Sequence, residues 1–117
     1  MQEFNLKTRI VSSNARLFRN LSLKTEYRNS MMGLILELQS QMRKNGYKQL
    51  LSNSLRLEVH IFRNGILKFD LDNCLKIIGD SLTKAHVIKD DRYITEINVK
   101  KIESEQEFTY IKISDCL

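Results

Sequence analysis

At 117 residues with 42% hydrophobic content, the chain is long enough to fold as a single domain, 1–117, around a buried core that needs no staples. Nineteen Lys and Arg against fourteen Asp and Glu give a formal charge of +5, a balance that favours an anionic partner. Cys74 and Cys116 make neither a metal-spaced pair nor a disulfide framework and are expected as reduced thiols of a cytoplasmic protein, while the apolar run 31–38, broken by Gly33 and Glu37, falls short of the roughly 20 residues a membrane span needs.

In chain order, Phe4, Leu6, Thr8 and Ile10 alternate with Glu3, Asn5, Lys7 and Arg9, the pattern of a first strand. Ser12, Ser13 and Asn14 break it and introduce a loop in which Arg16, Arg19 and Lys24 interleave with Leu17, Phe18 and Leu21. Such a segment either lies along a phosphate backbone or is a solvated loop whose apolar residues dock on the core. A helix is expected over about 25–45, from the spacing of Tyr27, Met31, Leu34, Ile35, Leu38 and Met42, with Asn45 and Gly46 ending it. Its Met and Leu stripe reads as core or as a dimer face. Leu55, Leu57, Val59 and Ile61 alternate with Arg56, Glu58 and His60 in the clearest strand signal of the chain, and Asn64 and Gly65 mark a turn after it. His60 is expected at the surface or an interface, and His86 in a loop.

The stretch from Phe69 to Asp91 carries the chemistry. Asp70 and Asp72 are two apart, so in an extended backbone their carboxylates share a face, with Leu71 between them pointing the other way. From Asn73 the pattern becomes helical, with Leu75, Ile78 and Leu82 on one stripe and Lys76 and Asp80 on another; Asp72 or Asn73 is suited to cap this helix. A connector over 83–89 then leads to Asp90 and Asp91. Acids pressed together repel unless a cation is shared, and carboxylate oxygens with no thiolate or imidazole beside them suit Mg²⁺ or Mn²⁺. Tyr93, Thr95, Ile97 and Val99 form the next strand, and 108–113 its partner across a hairpin loop at 103–107. The expected fold is therefore α+β: a small mixed sheet with two helices packed on it, in the order β-α-β-α-β-β.

Each acid also has an ordinary structural role open to it. Two aspartates near a helix start serve as cap and turn residue, Asp80 can pair with Lys76 or Lys84 on the helix surface, and Asp90 and Asp91 can form a plain turn before a strand. What favours a site is the set: if helix and strand pack as neighbours, Asp91 returns beside Asp70 and Asp72 with Lys76 over the same spot.

The run Asp70-Leu71-Asp72-Asn73, Lys76, Asp80-Ser81-Leu82-Thr83-Lys84-Ala85 and Asp90-Asp91 resembles, in the same spacing, the RusA family of phage and bacterial Holliday junction resolvases. Upstream, Ser13, Asn14 and Arg19 resemble that family's Ser-x-Asn loop, and Tyr27-Arg28 a pair in its first helix. The resemblance implies that Asp70, Asp72 and Asp91 are catalytic acids that hold Mg²⁺, with Mn²⁺ as a substitute, that Lys76 is a catalytic lysine, and that the protein works as a homodimer on four-way junction DNA. Family members usually have prolines before the Ser-x-Asn loop and arginines before the first catalytic Asp; this chain has no proline and offers Arg63, Lys68 and Phe69 there. The residues expected to contact DNA are Arg16, Arg19, Lys24 and Lys68, and Phe69 is expected to face the core. Rival readings are a non-catalytic nucleic-acid-binding phage protein, and a metal-dependent nuclease for other branched DNA or for RNA.

Overall fold

Among the described residues the strands and α-helices follow in the order β1 (Gln2–Leu6), α1 (Leu21–Asn45), β2 (Leu55–Arg63), α2 (Asp72–Lys84), β3 (Ile94–Glu103) and β4 (Phe108–Asp115). The computed structural model describes residues 1–11, 21–65 and 71–116. Class and order are those expected: one four-stranded sheet with two helices.

The sheet order is β1-β4-β2-β3, with β4 antiparallel to both β1 and β2, and β3 parallel to β2. The expected hairpin between β3 and β4 does not form. The two strands lie on opposite sides of β2, and the link between them passes over the end of β2, where the Ser104 N–H donates to the Arg63 carbonyl (3.1 Å) and the Glu103 carboxylate accepts from the Gly65 N–H (3.0 Å). A short link suffices, because two strand spacings are only about 10 Å. The parallel pairing of β2 with β3 needs a crossover, and α2 supplies it.

Alternation puts Leu55, Leu57, Val59 and Ile61 of β2, Phe4 and Leu6 of β1, and Ile111 and Ile113 of β4 in one core with Leu34 and Leu38 of α1 and Ile77, Ile78 and Leu82 of α2. In α2 the buried side is turned from the expected stripe: Cys74, Ile77, Ile78 and Leu82 are buried, while Leu75 is only half-buried. The opposite sheet face carries Phe62 stacked on Phe108, and His60 beside Tyr110. His60 also shares a hydrogen bond with Glu58 there.

β1 is shorter than its apolar alternation suggests, because the backbone beyond Leu6 leaves the sheet for α1. Glu37 accepts from the N–H groups of Lys7 and Thr8 (2.7 Å each), and Gln41 both accepts from the Asn5 N–H (3.1 Å) and donates to the Asn5 carbonyl (2.6 Å). Side chains of α1 thus occupy the outer edge of β1 as a pairing strand would. The helix itself begins four residues earlier than its apolar spacing indicates. Among the described residues, no helix is long and apolar enough to cross a membrane.

Candidate functional site

Asp72 is the first residue of α2. Leu71 holds the N-cap position in helical geometry with no side-chain cap, so the expected capping by Asp72 or Asn73 is not what starts the helix. Asp72 instead sets an exposed carboxylate in the first turn, where the helix dipole favours negative charge. Lys76 and Asp80 follow at four-residue spacing along the same side, with Lys76 Nζ 3.4 Å from Asp80 Oδ1. The Lys76 side chain is 47% exposed, so this pair does more to orient the ammonium than to stabilise the helix.

Asp91 reaches the same helix from elsewhere. α2 ends with His86 in the left-handed region (φ 62°), its N–H on the Thr83 carbonyl and the Val87 N–H on that of Leu82, which turns the chain sharply. The connector is then tied down by a bridge between Leu50 and Ile88, with the Leu50 N–H donating to Val87 (2.8 Å). Asp90 follows in extended backbone and caps the 3-10 turn Asp91–Tyr93, accepting from the Arg92 N–H at 3.0 Å. Asp91 thereby lies against Gly79 of α2, so closely that a Cβ at Gly79 would stand 3.0 Å from Asp91 Oδ2.

The electrostatics follow from this packing. Burial pushes the Asp91 carboxyl above the usual carboxylate range, a hydrogen bond with the Asp90 carboxyl and the charge of Asp80 add to the effect, and Lys76 opposes it. Asp90 moves the other way, chiefly because it accepts the Arg92 N–H. The carboxyl-to-carboxyl hydrogen bond of Asp91 with Asp90 and the nearby charge of Asp80 mark a place where negative charge is crowded.

The structure therefore brings together Asp91, Lys76 and Asp80, with Asp90 adjacent and Asp72 further along the same side of α2. Asp70, Lys68, Phe69, Arg16 and Arg19 lie outside the described residues. Among the described residues, no three of His, Cys, Asp and Glu converge closely enough to hold a metal ion. The donor chemistry of Asp72 and Asp91 nevertheless fits a hard divalent cation: both offer oxygen only, and the thiol of Cys74 is in the core, donating to the Leu71 carbonyl at 3.0 Å. Gly79 was missed in the sequence, where an isolated glycine within a helical pattern was the signal available.

The family profile described as "Endodeoxyribonuclease RusA" matches residues 12–114, which is most of the chain. The chain belongs to the RusA family. Among relatives, it is similar to "Crossover junction endodeoxyribonuclease RusA" of Aquifex aeolicus (strain VF5), with 51% identity over 47 residues. That alignment covers 39% of this chain and 37% of the relative, so it spans well under half of either protein.

Of the basic residues expected to meet DNA, this RusA-family structure describes Lys24. It is exposed near the start of α1 and, with Arg28 and Lys84, rims a groove of about 410 Å³ whose walls include Tyr27, Met31, Met32 and Ile35. Lys84 crosses between the helices, its Nζ donating to Met31 Sδ at 3.4 Å. Arg28 and Lys84 join this rim only through the packing of α1 against α2, which no local sequence pattern reveals. If the rim neutralises phosphates, Lys24→Ala and Lys84→Ala should each flatten the slope of log junction affinity against log salt by about one unit, as should Arg16→Ala or Arg19→Ala. Salt titrations of binding to a labelled junction check this, and slopes equal to wild type in all four variants would return these cations to a solvating role.

Proposed function

We propose that this RusA-family chain is an endonuclease that resolves four-way DNA junctions by paired, Mg²⁺-dependent phosphodiester cleavage, with Asp70, Asp72 and Asp91 as the metal-holding acids and Lys76 as the catalytic cation. The observation that carries the reading is the seating of Asp91 on α2, about one turn from Lys76 and on the side that Asp72 shares. When bound, the metal supplies charge neutralisation at the phosphate and a water acidic enough to attack near neutral pH, and Mn²⁺ can serve in its place.

The remaining work belongs to the chain. Asp72 and Asp91 present oxygens from two elements, so a phosphate approaching this side of α2 meets acids whose mutual repulsion a shared cation relieves. Asp80 holds the Lys76 ammonium at 3.4 Å and limits where its charge can sit. From there Lys76 can stabilise negative charge that builds on the phosphate oxygens in the transition state, or assist the leaving oxygen. The net positive charge of the chain, +5, offsets the local acidity and favours the DNA.

The working unit in this reading is a symmetric homodimer, since resolution needs two incisions on opposed strands and each chain carries one set of acids. Two surfaces are open to a second copy: the outer side of α1, where Met32 and Leu36 are 54% and 63% exposed, and the outer edge of β3, which no described strand pairs. Mixing wild-type with Asp72→Asn subunits should give heterodimers that nick one strand without completing resolution. Sedimentation showing a monomer bound to junctions at assay concentrations would rule the dimer out.

The test of the reading as a whole is incubation of a mobile four-way junction, a linear duplex and a flap with the protein and Mg²⁺. Paired nicks in the junction alone are the expected result. Cutting of the flap would move the substrate class to branched DNA generally, and tight junction binding without any cutting would make the protein a non-catalytic binder.

A further inference from the structure

We infer that Gly79 is a positioning residue for Asp91: the missing side chain on α2 is what lets the Asp91 carboxylate settle at the depth where it can share a metal ion. The inference rests on the nuclease reading above and concerns a residue outside its proposed set. Glycine is a poor choice for a helix interior, yet Gly79 lies in the middle of α2. Its conformation does not explain it, because the glycines with positive φ are Gly46 and Gly65, and Gly79 has ordinary helical backbone. Space does explain it. A Cβ at Gly79 would stand 3.0 Å from Asp91 Oδ2, 3.2 Å from Asp91 Cβ and 3.6 Å from Asp91 Cγ.

The contact with Cβ decides how the strain would be relieved. A carboxylate tip can swing away about its side-chain torsions, but the Cβ position belongs to the backbone of the 3-10 turn. An alanine at Gly79 therefore moves Asp91 as a whole by a few tenths of an ångström. Metal–oxygen distances tolerate roughly 0.2 Å, and supporting residues that aim a ligand typically govern about 10–100-fold in metal affinity. The three atoms nearest to the new methyl all belong to Asp91, so the effect falls first on the acid.

The experiment compares wild type, Gly79→Ala and Gly33→Ala. Gly33 is a control, because a Cβ there would press on Thr8, 2.8 Å from its Oγ1, a contact between α1 and the segment that follows β1, which is no part of the proposed site. Mn²⁺ binding without DNA is followed by electron paramagnetic resonance, the Mg²⁺ dependence of junction cleavage in parallel, and the metal-free Tm of each protein. The expected result is that Gly79→Ala weakens Mn²⁺ binding and raises the half-saturating Mg²⁺ by about tenfold, with most of the rate restored at excess Mg²⁺ and a metal-free Tm no lower than wild type. Gly33→Ala should leave both metal readouts unchanged. Wild-type Mn²⁺ affinity and Mg²⁺ dependence in Gly79→Ala would overturn the inference alone, as would a loss of activity that excess Mg²⁺ does not rescue. A wild-type chain that binds no Mn²⁺ and cuts nothing would bring down the nuclease reading and this inference together.

Discussion

Asp72→Asn is expected to lower the rate of junction cleavage on the order of a thousandfold, about 4 kcal/mol in the barrier, while junction affinity holds or rises. Asp72 is exposed in the first turn of α2 and lies outside the core, and asparagine keeps its size and polarity, so the fold should stay intact. What disappears is one anionic oxygen donor of the proposed metal site. Losing a negative charge next to DNA cannot weaken electrostatic attraction, which is why rate and affinity should separate. The measurement is single-turnover cleavage of a labelled four-way junction, with binding read in parallel by mobility shift in Ca²⁺. A variant that cuts at near wild-type rate in Mg²⁺ would remove Asp72 from the metal site.

Lys76→Ala is expected to depress turnover by about 10²–10³-fold with little change in junction affinity, the magnitude seen when one preorganised charge or hydrogen-bond donor to a transition state is deleted. The pairing with Asp80 is what makes the expectation sharp. A freely moving lysine on an exposed helix face would act as one more phosphate anchor, whereas an ammonium held 3.4 Å from Asp80 Oδ1 and acting on Asp91 has a restricted place in the site. Asp80→Asn should then reproduce part of the loss, because it frees Lys76 without removing its charge. Separating kcat from KM across the two variants checks this: equal losses of binding and rate in Lys76→Ala would make the residue an anchor.

How far the site could be read without coordinates depends on which of its relations are local. That Lys76 and Asp80 share one side of a helix follows from four-residue spacing alone, and the structure has them paired on α2; Asp72, expected in extended backbone beside Asp70, instead begins that helix, because Leu71 before it already has helical geometry. The strand β2 was equally legible, since Leu55, Leu57, Val59 and Ile61 alternate without interruption and alternation is a property of consecutive residues. The buried side of α2 was less so. Its apolar residues are dense enough to suggest more than one stripe, and only the position of the sheet beneath selects Ile77 and Cys74 over Leu75.

By itself, then, the sequence determined the α+β class, the order of the elements and the helical side on which Lys76 and Asp80 stand, because each depends on periodicity within one segment. Only the tertiary structure decided that β4 inserts between β1 and β2 instead of turning back on β3, and that Asp91 comes to rest on Gly79. Neighbouring strands in the chain usually pair, so the hairpin was the local choice. It lost because β2 offers two edges to fill: β3 takes one in parallel through the α2 crossover, and β4 the other in antiparallel register. The meeting of Asp91 with α2 is of the same kind. Its backbone is aimed by the left-handed turn at His86 and the bridge from Leu50 to Ile88, and its side chain finds room only because position 79 has none. Those contacts join parts of the chain that share no period, and a contact between such parts exists only once both have been packed on the same sheet.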